Sequence, residues 1–202
     1  MAEKQITAVI LAGGRGSRLG GSDKGLVQIA GRELISYAIE ALTPQVSEII
    51  IVANRHINQY DHFGLTVLAD SHSGYQGPLA GILTALEYST TPYLLSVPCD
   101  APLLAPDFAA RMLHALDKSQ ANASVAECNN HWQSVHCLVK RSVIDSAEKT
   151  LKHHDIAINT WLQSLGAISV DFSDSPLQFE NINNEADQAR LEKLLANDCE
   201  TV

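Results

Sequence analysis

The chain has 202 residues, enough for one sizeable core, and two full domains would be crowded. Lys and Arg number 14 against 23 Asp and Glu, and the net charge of −9 argues against nucleic acid or an anionic membrane as a general partner. A hydrophobic fraction of 46% with 18% charged residues is that of an ordinary soluble globular protein, and no stretch approaches the roughly 20 apolar residues of a membrane span.

Short apolar runs alternate with segments of helical period. ITAVIL, residues 6–11, reads as a buried strand. Residues 33–42 put Leu34, Tyr37, Ala38, Ala41 and Leu42 on one helical face. The continuous β-branched run at 48–54 predicts a strand covered on both faces. Residues 65–70 predict another strand, and 79–88 a helix with Pro78 at its entry. YLLSVPCD, 93–100, predicts a strand ending in a turn, followed by a helix over 106–116. This order implies a mostly parallel sheet with helices on its faces.

The second half changes style. Strands at 123–128 and 134–140 flank Asn129-Asn130-His131, read as a hairpin turn. Helices follow at about 142–151 and 156–165, then a strand at 167–172 and a last helix at about 185–196. The expectation is one α/β domain with an antiparallel flank. The four cysteines, Cys99, Cys128, Cys137 and Cys199, lack CxxC spacing and read as reduced thiols of a cytosolic protein. The start MAEKQ, with its acid beside a lysine and only a short apolar run after it, lacks the form of a secretory signal.

Ligands of such sheets bind beyond the carboxyl ends of the strands. The loop after Leu11, Asn54, Asp70 and Asp100 all fall there. The loop, LAGGRGSRLGGSDKG over 11–25, holds six glycines and the cations Arg15, Arg18 and Lys24 against the single acid Asp23. Glycines let successive N–H groups face a phosphate, and the cations add charge-assisted bonds. The pattern departs from a Walker loop, because Lys24 follows Asp23 and precedes Gly25, and from the dinucleotide fingerprint, because Leu19 stands where a glycine belongs. By itself the loop reads as an anion cradle or as a surface loop with ordinary charges.

In VPCDAPLL, 97–104, Asp100 closes an apolar strand between Pro98 and Pro102, which stiffen the turn. Such a carboxylate suits Mg²⁺, or it caps a turn; beside a phosphate loop on the same rim, the metal reading is preferred. Asn54 suits a ribose or base edge, or a strand-end turn. Asp70 is a second nucleotide or metal contact, or a strand end. Gly77 and Pro78 open a helix whose free N–H groups face an anion or base, or serve as helix punctuation. Asn181 and Asn183 precede the last helix, where capping accounts for one of them. The pair His153-His154 beside Asp155 reads as surface. His131 and His136 flank the hairpin as minor candidates for substrate contact. Cys99 lacks a partner base and reads as a small packed residue, and Trp132 and Trp161 as packing residues.

Taken together, LAGGRGSRLGGSDKG, GPLAGI, VPCDAP and the late NIN resemble the molybdenum cofactor guanylyltransferases, nucleotidyltransferases with a nucleotide-diphospho-sugar-transferase-like fold. Leu11-Ala12-Gly13-Gly14, Arg18-Leu19-Gly20 and Asp23-Lys24 match the family signature, with Leu19 in place of its usual Met; Gln133-Ser134 departs from its Gln-Pro. The resemblance implies a Rossmann-like three-layer sandwich with a nucleotide-binding half over about 1–120 and an acceptor side over about 121–202. It implies GTP as nucleotide, molybdopterin cofactor as acceptor and Mg²⁺ as cofactor. It brings in proteins that deliver or receive the cofactor as candidate partners. It implies that Leu11, Ala12, Gly13 and Gly14 lie under the nucleotide, and that Lys24 and Arg18 face its phosphates. Asn54, Asp70 and Gly77 are nucleotide contacts on this reading, Asp100 holds the metal, and Asn181 and Asn183 lie near the active site. Related cytidylyltransferases carry Leu-Ala-Ala-Gly in the loop, so Gly13 favours the guanylyl branch. A sugar-1-phosphate nucleotidyltransferase and a non-catalytic nucleotide-binding subunit are the alternatives further off.

Overall fold

The computed structural model describes residues 5–12, 23–70, 77–152, 157–182 and 185–198. Its centre is a seven-stranded sheet. The strands are β1 (Ile6–Leu11), β4 (Glu48–Val52), β5 (Thr66–Leu68), β6 (Tyr93–Pro98), β7 (Ala123–Cys128), β8 (His131–Lys140) and β9 (Ile168–Asp171). Their spatial order is β5-β4-β1-β6-β8-β7-β9. Pairs β1–β4, β1–β6, β4–β5 and β7–β9 are parallel, whereas β8 runs antiparallel to both β6 and β7. A small antiparallel ribbon, β2 (Gln28–Ile29) with β3 (Arg32–Glu33), stands apart.

Alternation along β1 divides the core. Ile6, Ala8 and Ile10 enter one cluster, and Val9 enters the other. The first cluster is roofed by α1 (Leu34–Leu42) and α4 (Phe108–Lys118), through residues such as Ile35, Ala38, Phe108 and Met112. The second is roofed by α3 (Pro78–Tyr88), α5 (Ile144–Lys152) and α6 (Ile158–Ser164), through Leu79, Ile82, Ala147 and Trp161. Helices on both faces explain why β1, β4 and β6 are mostly apolar, with Thr7 and Ser96 as buried polar exceptions. A third, smaller cluster joins Ile29 of β2 and Leu34 to Ile182 and Leu191, the latter on α7 (Glu185–Asp198). No helix among the described residues is long and apolar enough to cross a membrane.

Four details differ from the sequence expectation. The ribbon β2–β3 and the short α2 (Ile57–Tyr60) lack the length to show periodicity. The hairpin turn is Asn129-Asn130 alone, both left-handed at φ 52° and 62°, and His131 already begins β8. Helix α4 begins at Phe108, leaving Pro106 outside it. The pairing of β7 with β8 shifts register between Val125 and Ala126, so Ser134, Val135 and His136 fall between partners.

Candidate active site

The chain leaves β1 toward β4 on one side and later returns to lay β6 on the other. The carboxyl ends of β1 and β6 therefore meet at a topological switch point, where open α/β sheets bind their ligands. Leu11 is paired with Pro98 there. One residue further on, the Cys99 N–H donates to the Leu11 carbonyl at 3.1 Å, and the Ala12 N–H to the Val52 carbonyl at 2.8 Å. Asn54, Asp70 and Asp100 each lie two residues past the end of their strand. The neighbouring order of those strands gathers them on one rim.

Asp100 is 8% exposed, and Lys24, 76 positions away in sequence, donates from Nζ to its Oδ2 at 3.1 Å. The two ends of the sequence motif thus meet at the switch point. Asp23, which precedes Lys24, is itself buried, and both of its oxygens are engaged. Tyr60 Oη donates to Oδ1 at 2.6 Å, and His56 Nδ1 lies 3.4 Å from Oδ2. Burial, and then the bond to Asp23, push the Tyr60 hydroxyl well above its ordinary range, so it remains a proton donor. Sequence reasoning missed Tyr60 and His56. Neither carries a motif, and Asp23 is 37 and 33 positions away from them.

On the far side of β4, the Asp70 N–H donates to Asn54 Oδ1 at 3.3 Å, and Thr84 of α3 donates to Asp70 Oδ1 at 3.4 Å. Gly77, with φ at 77°, leads into Pro78 at the first turn of α3. Asn181 occupies a different place. It lines a cleft of about 480 Å³ with Pro102, Leu103, Ile182, Arg190 and Leu191. That cleft borders the rim through Pro102, two residues past Asp100. Gly13, Gly14, Arg15, Arg18, Leu19, Gly20 and Asn183 lie outside the described residues, as do His153, His154, Asp155 and Cys199.

The remaining candidates take structural places. Cys99 is buried, and burial followed by the neighbouring Asp100 and Asp23 charges raise its thiol far out of the nucleophilic range. His136 is a core residue. It is buried among Phe108 and Phe179, with ring centroids at 6.0 and 5.0 Å, and burial lowers it to about 3. Its place is the aromatic core, because alternation along β8 puts it on the face that Leu138, two residues on, also buries. Trp161 is also buried.

The donor set suits a hard divalent cation of the Mg²⁺ type. Asp100 presents one carboxylate at the rim, with Oδ2 held by Lys24 and no described hydrogen bond on Oδ1. Among the described residues no group of three His, Cys, Asp or Glu gathers into a protein-only cage. One carboxylate supplemented by phosphate oxygens and water is the usual way of holding Mg²⁺.

A mostly parallel sheet with a lysine–aspartate pair at its switch point defines a nucleotide-handling α/β protein of the nucleotidyltransferase class. The sequence profile described as the MobA-like NTP transferase domain matches residues 8–168. The chain belongs to this family. It is 43% identical over 194 residues to a molybdenum cofactor guanylyltransferase of Shewanella pealeana, covering 96% of this chain and 97% of the relative. It is 46% identical over 178 residues to the enzyme of that name from Shewanella putrefaciens, covering 88% and 91%. The fold is shared with the molybdopterin-guanine dinucleotide biosynthesis protein A of Archaeoglobus fulgidus, at a TM-score of 0.79 and 21% identity over 95% of this chain and 99% of that one.

Proposed function

We propose that this chain transfers GMP from GTP to the terminal phosphate of the molybdenum-molybdopterin cofactor. The products are molybdopterin guanine dinucleotide cofactor and pyrophosphate. The observation that carries the reading is the Lys24–Asp100 pair at the switch point, in a chain whose relatives are named molybdenum cofactor guanylyltransferases.

An oxygen of the acceptor's terminal phosphate attacks the α-phosphorus of GTP. The bond from that phosphorus to the bridging oxygen breaks, and its electron pair leaves with pyrophosphate. The attacking phosphate is already ionised, so no general base is needed. The buried Cys99 and His136 offer none. The difficulty is the approach of two anions, which positioning and charge neutralisation resolve.

Lys24 faces the phosphates with a compact charge on a flexible stem, and Arg18 shares this role. Backbone groups of Leu11, Ala12, Gly13 and Gly14 lie along the nucleotide. Asn54, Asp70 and Gly77 are further nucleotide contacts, and Asn181 and Asn183 act near the active site. Asp100 would hold the Mg²⁺, which when bound neutralises phosphate charge and orients the leaving group. The division into a nucleotide side, about 1–120, and an acceptor side, about 121–202, belongs to this reading. So do partners that deliver or receive the cofactor. A cytoplasmic location fits the free thiols of Cys99, Cys128 and Cys137.

The test is pyrophosphate release by the purified protein with Mg²⁺ and molybdopterin, comparing GTP with CTP. Release with GTP alone is expected. Preference for CTP would move the chain to the cytidylyl branch, and release with neither would leave a nucleotide-binding subunit.

A further inference from the structure

Lys24 has the reach to miss its target. Its side chain carries four rotatable methylenes, and its ammonium is useful only where Asp100 and a phosphate sit. Something must hold its backbone. Lys24 opens a 3-10 turn, Lys24–Leu26, closed by Leu26 N–H to the Asp23 carbonyl at 3.1 Å and Val27 N–H to the Lys24 carbonyl at 3.2 Å. A three-residue turn of this kind is weak alone.

Tyr60 grips both neighbours of Lys24. Before it, the Asp23 carboxylate accepts the Tyr60 hydroxyl at 2.6 Å, a short charge-assisted bond in a buried place. After it, Gly25 lies so close to the same hydroxyl that a Cβ there would stand 2.7 Å from Oη and 3.3 Å from Cε1. Tyr60 is fully buried, so its ring is a fixed stop. His56 covers the other oxygen of Asp23 and is itself held at the start of α2 by a left-handed φ of 50°.

We propose that Tyr60, with His56 beside it, is a positioning residue for the transfer reaction. By fixing Asp23 and Gly25 it aims the Lys24 ammonium at Asp100 and the phosphates. The proposal rests on the reading of Lys24 as the phosphate ligand.

A double-mutant cycle tests it, with the full chain, GTP, Mg²⁺ and molybdopterin, reading kcat and KM separately alongside the melting temperature. Tyr60→Phe keeps the ring and removes the donor. It is expected to slow pyrophosphate release by about 10- to 100-fold, the cost of a displaced catalytic group. In a Lys24→Ala background, the same change is expected to cost almost nothing more, since no ammonium is left to aim. A role confined to stability would lower the melting temperature and cost the same in both backgrounds, which overturns the proposal. So does wild-type turnover by Tyr60→Phe. Unimpaired turnover by Lys24→Ala alone would instead remove the phosphate-ligand reading, and the proposal with it. Should Tyr60→Phe fail to fold, His56→Ala carries the same cycle from a half-exposed position, and equal cost in both backgrounds again overturns the idea.

Discussion

At Asp100 the protein keeps a carboxylate almost out of water and sets a lysine on one of its oxygens. Burying a charge is costly unless it is paired, so the pair is a site feature that burial alone would not select. Asp100→Asn preserves size and the turn between Pro98 and Pro102, and removes the charge. It leaves Lys24 facing a neutral amide and replaces the anionic carboxylate that a divalent cation prefers with a neutral amide oxygen. Turnover is expected to fall by about 100- to 1,000-fold, in line with the loss of one preorganised electrostatic contact. Pyrophosphate release across a Mg²⁺ titration, with near-UV circular dichroism to show an unchanged core, checks it. A variant with near-normal turnover at ordinary Mg²⁺ would exclude Asp100 as the metal ligand.

At the scale of elements, strands β1, β4 and β6 were readable because a strand covered on both faces is a short, mostly apolar run, even with Thr7 and Ser96 inside it. The rim followed from where those strands end. The four-residue α2 and the two-residue strands β2 and β3 were not readable, since a period needs length. The β2–β3 ribbon is instead made by tertiary contact, with Ile29 packed against Leu191 of α7 and Ala30 N–H donating to Glu192 at 3.3 Å. The grip of Tyr60 and His56 on Asp23 was unreadable for the same reason: only the fold makes them neighbours. Helix α3 shows how closely an element can be tied to the rim. Gly81 sits so near β1 and β4 that a Cβ would lie 2.7 Å from Leu11 Cδ2 and 3.4 Å from Val52 Cγ1. Gly81→Ala gains about 1 kcal/mol of helix propensity and meets an overpacking cost of about 1–3 kcal/mol. The net expectation is a loss of about 0–2 kcal/mol in urea unfolding. Because Leu11 is the half-buried party that gives way, the KM for GTP is also expected to rise. A lower stability with an unaltered KM would place the strain in Val52 instead.

Across the whole molecule, one core cluster runs from Ile6 of β1 to Phe172 beyond β9, so the two halves of the chain share their interior. His136 sits in the part of that cluster where α4 meets the C-terminal segment. Phe108 and Phe172 stack at 4.8 Å, Phe179 stands edge-on to both Phe172 and His136, and His136 Nε2 is buried without a hydrogen-bond partner among the described residues. Burial lowers this histidine from 6.5 to about 3. The folded state therefore refuses a proton that the unfolded chain accepts below 6.5. Its contribution to stability is complete above that pH and is lost as the pH falls toward 3. One proton taken up on unfolding corresponds to about 1.4 kcal/mol per pH unit, or about 2 kcal/mol between pH 6.5 and 5. Since the cluster is shared, the loss is expected to appear in the global urea midpoint and not as local fraying. His136→Leu replaces the ring with an apolar side chain of similar size and removes the titration. Its urea midpoint should vary less between pH 7 and 5 than that of the unmodified protein. An equally steep fall in the variant would assign the acid sensitivity to the carboxylates and leave His136 as packing alone.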